Sequence, residues 1–426
     1  MGLKMDRRTF IGGAAGASGL MILNSRTAFG YEANSAVRLG LLGCGNRGTS
    51  VATSFAQNTS ARIVALADIF PDKLEKGKTH FDKVNADLGI PGIDAKRMFR
   101  GYKAFEEIAA SADVDAVQIS TPPWFHVQHL DAVVTAGKHA YCEKPLGVDV
   151  EQTRQALEIG KRAQGRLSLD VGFQVRSAPP IAEVVRRIHE GALGKIASIA
   201  AHYNSPASTY PDRGNVSADE LRLRNWLWDR VLSGDILVEQ NIHVIDICNW
   251  ILKSHPIKAV ATGGRNVLTH AGDCWDNYEV IYTYPDGERL SFSSTQFGTG
   301  GWFDVSETVF GSKGVAEAPY SGPVRIVGEN AWEWKDAAQP ASGTAAFAAN
   351  GAFSDNLAFA DREKDKSFIE SITSGKFHNQ AEEGVQTALS CMLGRMAGVL
   401  GREVTWDEQL KHGEHYEMKI DMSQFK

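Results

Sequence analysis

Val37-Arg38-Leu39-Gly40-Leu41-Leu42-Gly43-Cys44-Gly45-Asn46-Arg47-Gly48 is the stretch on which the fold turns. Its first six residues are a short apolar run, suited to a buried parallel strand. Gly43, Cys44, Gly45, Asn46, Arg47 and Gly48 follow at once as G-x-G-x-x-G, and a helical stretch runs on through Gln57. Arg62–Ala67 reads as a second strand, ending at Asp68. Strand, glycine turn, helix, strand and acid within one βαβ unit is the pattern of a dinucleotide site. The glycines give a tight turn, close approach of backbone to pyrophosphate, and tight helix–strand packing. Free amides at the helix start favour phosphate charge. Asp68 is placed to accept from an adenosine ribose 2′-hydroxyl and to repel a 2′-phosphate, so NAD is favoured over NADP. A G-x-G-x-x-G alone is equally a plain glycine-rich turn; the flanking strands and the acid supply the confirming context.

The alternation continues outward from this unit. Asp115–Ser120, His139–Cys142 and Leu167–Phe173 read as strands, and Phe125–Ala136 and Val150–Gln164 as helices. Ligands of open α/β sheets bind at the carboxyl ends of strands. Thr121, Pro122, His126 and the Glu143-Lys144-Pro145 turn all lie at or just beyond such ends. Ala86–Arg100 carries Pro and Gly and reads as a loop ahead of a helix at Gly101–Ala110. After residue 173 the pattern changes. Lys195–Tyr203, Ile257–Val267, Tyr278–Tyr284, Leu290–Gln296 and Ser306–Phe310 read as strands, with Pro285-Asp286-Gly287 as a hairpin turn. Runs of strands without intervening helices suit an antiparallel sheet. Asp336–Asn356, rich in Ala with Gly, Ser and Pro, reads as a loop or lid, and helices return at Asp361–Ser374 and Ala381–Leu400.

A chain of 426 residues suits two domains, and 43% hydrophobic with 23% charged residues is ordinary globular composition. Arg7-Arg8-Thr9-Phe10-Ile11, the Gly-rich apolar run Ile11–Leu23 and the small-residue exit Ala28-Phe29-Gly30 occur in the order of a twin-arginine (Tat) signal. The division expected is therefore 1–30 as signal, 31–170 as the dinucleotide domain and 171–426 as a substrate domain. Such a signal hands a folded, cofactor-loaded protein to the Tat export machinery, for a periplasmic or secreted location. The apolar run is too short to span a bilayer, so no membrane insertion of the mature chain is expected. The formal net charge of −6 with no basic run makes the chain a poor partner for nucleic acid or an anionic membrane surface. Five widely spaced cysteines, without a C-x-x-C pair, read mostly as small core residues.

Ala136-Gly137-Lys138-His139 and Glu143-Lys144-Pro145, taken with the Gly43–Gly48 turn, resemble the Gfo/Idh/MocA family of glucose–fructose oxidoreductase-like and inositol dehydrogenase-like enzymes. Further matches lie at Thr121-Pro122, Gly311-Ser312-Lys313-Gly314 and Gly401-Arg402-Glu403-Val404-Thr405-Trp406, so the resemblance runs from about Val37 to about Gln409. It implies an α/β Rossmann domain followed by an α+β domain with a large open, mostly antiparallel sheet, whose free face commonly joins subunits of a homo-oligomer. It also implies hydride transfer between nicotinamide and a carbinol of a sugar, glycoside or polyol, with NAD held tightly. Glu143 and Lys144 then lie beside the nicotinamide ribose, and Lys144 touches the reacting hydroxyl.

In Val238-Glu239-Gln240-Asn241-Ile242-His243-Val244-Ile245-Asp246, a continuous helix places Glu239, His243 and Asp246 on one face. The family carries Asp-x-x-x-His there, with the histidine as general base; His243 matches it, and Glu239 stands at the carboxylate position. An imidazole titrates near neutrality and can take the hydroxyl proton as hydride leaves. Lys144 stabilises the developing alkoxide, and a carboxylate beside His243 raises its basicity and fixes its tautomer. The Glu/His/Asp face is also a donor set for a divalent metal, although no further ligand cluster is evident and none is expected. A core histidine and a surface lysine are the plain alternatives. Gln174, Arg176, Trp226 and Asp246 are expected to line the substrate side, and Tyr203, Arg224 and Trp275 offer further polar tips or stacking faces. Two other functions remain open at this level: a glycosidase that oxidises and eliminates with NAD reset in place, and a non-catalytic sugar- or dinucleotide-binding protein.

Overall fold

The computed structural model describes residues 36–206, 209–298, 302–335 and 355–426. The segment read as a twin-arginine signal and nearly all of the stretch read as a 336–356 loop lie outside the described residues; Asp355–Leu357 is a short 3-10 turn.

The first half is a six-stranded sheet: β1 (Arg38–Leu42), β2 (Arg62–Asp68), β3 (Met98–Arg100), β4 (Ala116–Ile119), β5 (His139–Cys142) and β6 (Leu169–Val171). The order is β3-β2-β1-β4-β5-β6 and every pairing is parallel. Helices α1 (Asn46–Asn58), α2 (Pro71–Asp87), α3 (Ala104–Ala110), α4 (His126–Thr135) and α5 (Val150–Ala163) connect the strands. Buried on both faces, β1 and β4 have no need of alternation, which is why their apolar runs are legible. The loop expected at 86–100 is only partly one. Its start is the last turn of α2, and its end is β3, which pairs with β2 from Leu66↔Met98 to Asp68↔Arg100. Three residues are too few to show a period, and β3 exists because β2 offers an edge.

The second half is a nine-stranded sheet. Its long strands are β7 (Ile196–Pro206), β8 (Lys258–Gly264), β9 (Asn277–Thr283), β10 (Arg289–Gly298) and β11 (Asp304–Gly311). To these are added β12 (Gly314–Pro319), β13 (Arg325–Gly328), β14 (Trp332–Glu333) and β15 (Val404–Thr405), none of them foreseen as strands. The order is β14-β13-β12-β11-β7-β10-β9-β8-β15, antiparallel throughout except where β7 meets β10 in parallel. Among the described residues, the helices longer than one turn in this half are α6 (Pro179–His189), α7 (Ala218–Arg224), α8 (Ile242–Leu252), α9 (Ala360–Ser374), α10 (Ala381–Leu400) and α11 (Trp406–His412).

Packing crosses the 170/171 division. Phe368 of α9 joins Phe55 and Tyr141 edge-on, with ring centroids 5.9 and 5.7 Å away, inside the core of β1 and α1. Two glycines let α10 lie close to both halves: a Cβ at Gly384 would come within 2.9 Å of Leu146, and one at Gly394 within 2.3 Å of the Tyr282 hydroxyl. The interior of the large sheet also holds a carboxyl. Glu307 of β11 is fully buried, and neither side-chain oxygen has a hydrogen-bond partner. Burial holds its pKa well above the ordinary 4.5. The native state thus keeps its proton where the unfolded chain releases it. The associated stability is fully present below pH 4.5 and declines as pH rises toward the folded value. Glu307→Gln removes that ionisation. Its melting temperature is expected to match the wild type near pH 4.5 and to exceed it increasingly as pH rises, by about 1.4 kcal/mol for each pH unit between the unfolded and folded pKa values; parallel melting curves up to pH 9 would refute the assignment.

Candidate active site

A cavity of about 840 Å³ opens where the carboxyl ends of the parallel strands face the second half of the chain. Gly43 leaves β1 with φ +96° and stands so close to the next strand end that a Cβ would come 2.6 Å from the Ser120 carbonyl oxygen. Gly48 packs on the turn itself; a Cβ there would lie 2.1 Å from the Gly43 carbonyl oxygen. Gly45 caps α1 without any side-chain bond, no acid occupies the first turn, and a Cβ on Gly45 would meet nothing within 4 Å. The turn therefore offers unspent amides beside open space, the cradle a phosphate needs. Asp68 closes the same unit. Its Oδ2 accepts from Cys44 N and its Oδ1 from Phe70 N, each at 2.8 Å, which fixes the carboxylate and leaves lone pairs for ribose hydroxyls. The residues present fit a dinucleotide.

Of the residues singled out from the sequence, Gly43, Gly45, Asn46, Arg47, Asp68, Thr121, Pro122, His126, Glu143, Lys144, Gln174, Trp226, Glu239 and His243 all line this one cavity. Cys44 and Gly48 do not. The Cys44 thiol turns inward toward the Ala67 carbonyl, and Gly48 serves the turn rather than the space above it. Arg47 lies on the lining with its guanidinium taken up by protein: Nε donates to Glu143 at 2.6 Å, and Nη1 and Nη2 donate to Asp361 of α9 at 2.9 Å. It braces the glycine turn against the Glu143-Lys144 turn. His126 is likewise a brace, its ring between the carbonyl oxygens of Thr121 and Pro145, with burial lowering its pKa to about 4.

The reacting end is built from two turns. Lys144 Nζ donates to the Glu239 backbone oxygen at 2.5 Å and to Glu239 Oε1 at 2.8 Å. An ammonium has three donors, so one remains for a ligand in the cavity. Glu239 ends a single helical turn, Ile236–Glu239, and α8 begins only at Ile242. The expected single helix is interrupted there, and the shared face fails further on, within α8 itself. Glu239 and His243 stay on the cavity, whereas Asp246 points into the core, where it pairs bidentately with Arg176 (2.7 Å each) and accepts from Thr387 at 3.0 Å. Arg176 and Asp246 thus neutralise each other away from the cavity, and Trp275 packs on Tyr278 instead of lining it.

A second correction concerns His243. No carboxylate orients it: Glu239 is engaged with Lys144, Asp246 with Arg176, and His243 Nδ1 is buried without a partner. Burial first, then the charges of Lys144 and Arg47, hold its pKa well below 6.5. The imidazole is neutral at physiological pH and able to accept a proton. Gln174 is also buried on the lining, with its Oε1 unpartnered. Asp361, which holds Arg47 from 314 residues away, was not foreseen, and nothing in the local pattern marks it. Tyr203, Trp228 and Phe303 give the second-half wall its aromatic character. Among the described residues, no group of three or more His, Cys, Asp or Glu is placed to share a metal ion, and no helix is long and apolar enough to cross a membrane.

Comparison with known proteins bears on this arrangement. Residues 37–171 match the family described as "Oxidoreductase family, NAD-binding Rossmann fold", and residues 181–317 match the GFO/IDH/MocA C-terminal domain. Inositol 2-dehydrogenase of Rhizobium meliloti is 29% identical over 292 residues, 68% of this chain and 78% of that protein. Among solved structures, the aldose-aldose oxidoreductase of Caulobacter crescentus superposes with a TM-score of 0.66 at 20% identity, over 87% of this chain and 99% of that one. A levoglucosan dehydrogenase in complex with NADH and levoglucosan superposes with a TM-score of 0.67 at 18% identity, over the same shares.

Proposed function

The chain belongs to the Gfo/Idh/MocA oxidoreductase family, and from that premise we propose that it oxidises a secondary carbinol of an inositol-like polyol or a pyranose sugar with NAD, using Lys144 and His243 at the reacting hydroxyl. The observation that carries this reading is the shared cavity: the glycine turn, Asp68, Lys144, Glu239 and His243 all open onto one space. A protein that only binds sugar or nucleotide needs neither a neutral imidazole nor a lysine there. The inositol dehydrogenase among the relatives supports the polyol class.

Bound NAD supplies the hydride acceptor. Lys144 directs its remaining N–H at the substrate oxygen and stabilises the charge that grows on it. His243 accepts the hydroxyl proton, and its depressed pKa keeps it unprotonated for the task. Glu239 holds the Lys144 ammonium in place through two bonds. Gln174, with its Oε1 unpartnered, would offer an acceptor to a second substrate hydroxyl and so help orient the substrate. Asp68 favours NAD over NADP. The twin-arginine leader extends the same reading to an enzyme exported with its cofactor aboard. The exposed apolar side chains of the large sheet, Val260, Ile281 and Val327, extend it to a homo-oligomer.

The test is turnover. Purified full-length protein, given NAD and a panel of inositols, pyranoses and glycosides, is expected to reduce NAD with at least one of them, read at the NADH absorbance band. Tight NADH binding with no turnover across the whole panel would retire hydride transfer and leave a binding protein.

A further inference from the structure

The groove at Asp68 is roofed from the second half of the chain by two segments. The first is the end of α7. The Arg224 guanidinium sits 3.9 Å from the centroid of the Phe70 ring and donates to Asp72 through Nη2 at 2.8 Å and Nη1 at 3.3 Å, while Glu220 holds its Nε at 2.6 Å. Phe70 caps α2 and Asp72 lies in its first turn. These are the residues that directly follow the carboxylate aimed at the adenosine ribose, and Phe70 N is itself bonded to that carboxylate.

The second segment is the C-terminal tail. Phe425 meets Phe70 edge-on with ring centroids 5.8 Å apart, and its carbonyl oxygen accepts from Tyr102 N at 2.9 Å. Met422 lines the cavity together with Phe70, Tyr102 and Arg224. Gly101, at φ +94°, lies so close beneath the tail that a Cβ would approach the Lys426 backbone to 3.0 Å. Tail and α7 are joined to each other: Arg222 donates to the Met418 carbonyl at 2.9 Å, and Gln424 donates to Asp219 at 2.9 Å. Phe70, Leu223, Met418, Ile420 and Phe425 share one small apolar cluster separate from the main core.

The guanidinium is stacked on Phe70 and only 16% exposed, whereas its Asp72 partner is 44% exposed, so the stack supplies most of the hold and the forked ion pair adds to it. Resting on the reading of this groove as the dinucleotide site, we infer that Arg224, supported by the tail around Phe425, is a latch that shuts the adenosine end of the groove over bound NAD. The cofactor leaves only when α7 parts from Phe70 and Asp72. The small cluster is the natural place for that parting, since it opens without disturbing either sheet.

The experiment loads the purified full-length protein with NADH, chases it with excess NAD and follows NADH fluorescence. Arg224→Ala is expected to release NADH at least tenfold faster than the unaltered chain. Asp72→Asn, which keeps the Phe70 stack and loses only the ion pair, is expected to do so severalfold. Affinity for ADP-ribose should weaken in step in both variants, with affinity for nicotinamide mononucleotide unchanged. Release at the unaltered rate in both variants overturns the latch. So does an equal loss of both half-ligands, because that marks a purely structural residue. If the unaltered chain binds no NADH, the dinucleotide reading itself falls.

Discussion

His243→Ala is expected to lower turnover at saturating NAD and substrate by about 10³-fold, within the 10²–10⁴ range that positioned acid–base groups supply, with NADH affinity changed little. The imidazole lies on the cavity beside Lys144, and burial together with the Lys144 and Arg47 charges keeps it neutral. A base must be unprotonated to act. The unaltered enzyme should therefore hold its rate on acidification through pH 6.5 and lose it only well below, when the ring finally protonates. Steady-state rates from pH 5 to 9 check both points. An acid limb near 6.5, or an alanine variant with most of its activity, would take His243 out of the mechanism.

Lys144→Met should cost about 10²–10³-fold in turnover, the scale of removing one donor from a developing oxyanion, and it should also move the pH profile. Lys144 is one of the causes that depress the His243 pKa. Removing its charge lets the histidine protonate more readily, so the acid limb of the residual activity shifts upward toward 6.5. A lysine that merely packs would change the rate through folding and leave the limb where it was. Circular dichroism on the same samples separates the two, since Glu239 loses its cationic partner in this variant.

These expectations trace back unevenly to the sequence. The βαβ unit was readable because its information is local: an apolar run, three glycines and an acid within about thirty residues fix a strand, a turn and a carboxylate. That Lys144 and His243 reach one cavity was legible only through the motifs that carry the family resemblance. Asp246 was misplaced although it shares the unbroken helix α8 with His243, because three-residue spacing does not say which cation claims the side chain, and Arg176 holds it in the core. The orienting carboxylate expected at His243 failed for a related reason, since each nearby acid is already paired with a nearer cation. Arg47 with Asp361, and Arg224 with Asp72, join positions 314 and 152 residues apart, and no local pattern announces such pairs. The parallel contact of β7 with β10 was hidden similarly, because alternation tells which face is buried and not which strand lies alongside.

The Phe368 ring and the Asp361 carboxylate, both on α9, complete the packing and the ion pairing of a domain begun more than three hundred residues earlier. During synthesis the nucleotide half emerges first, with its Phe55–Tyr141 edge uncovered and Arg47 lacking one of its two acids. Such a half-finished fold depends on contacts of very long sequence separation, the kind that form last. Packing of the nucleotide half is therefore completed only once α9 has been made.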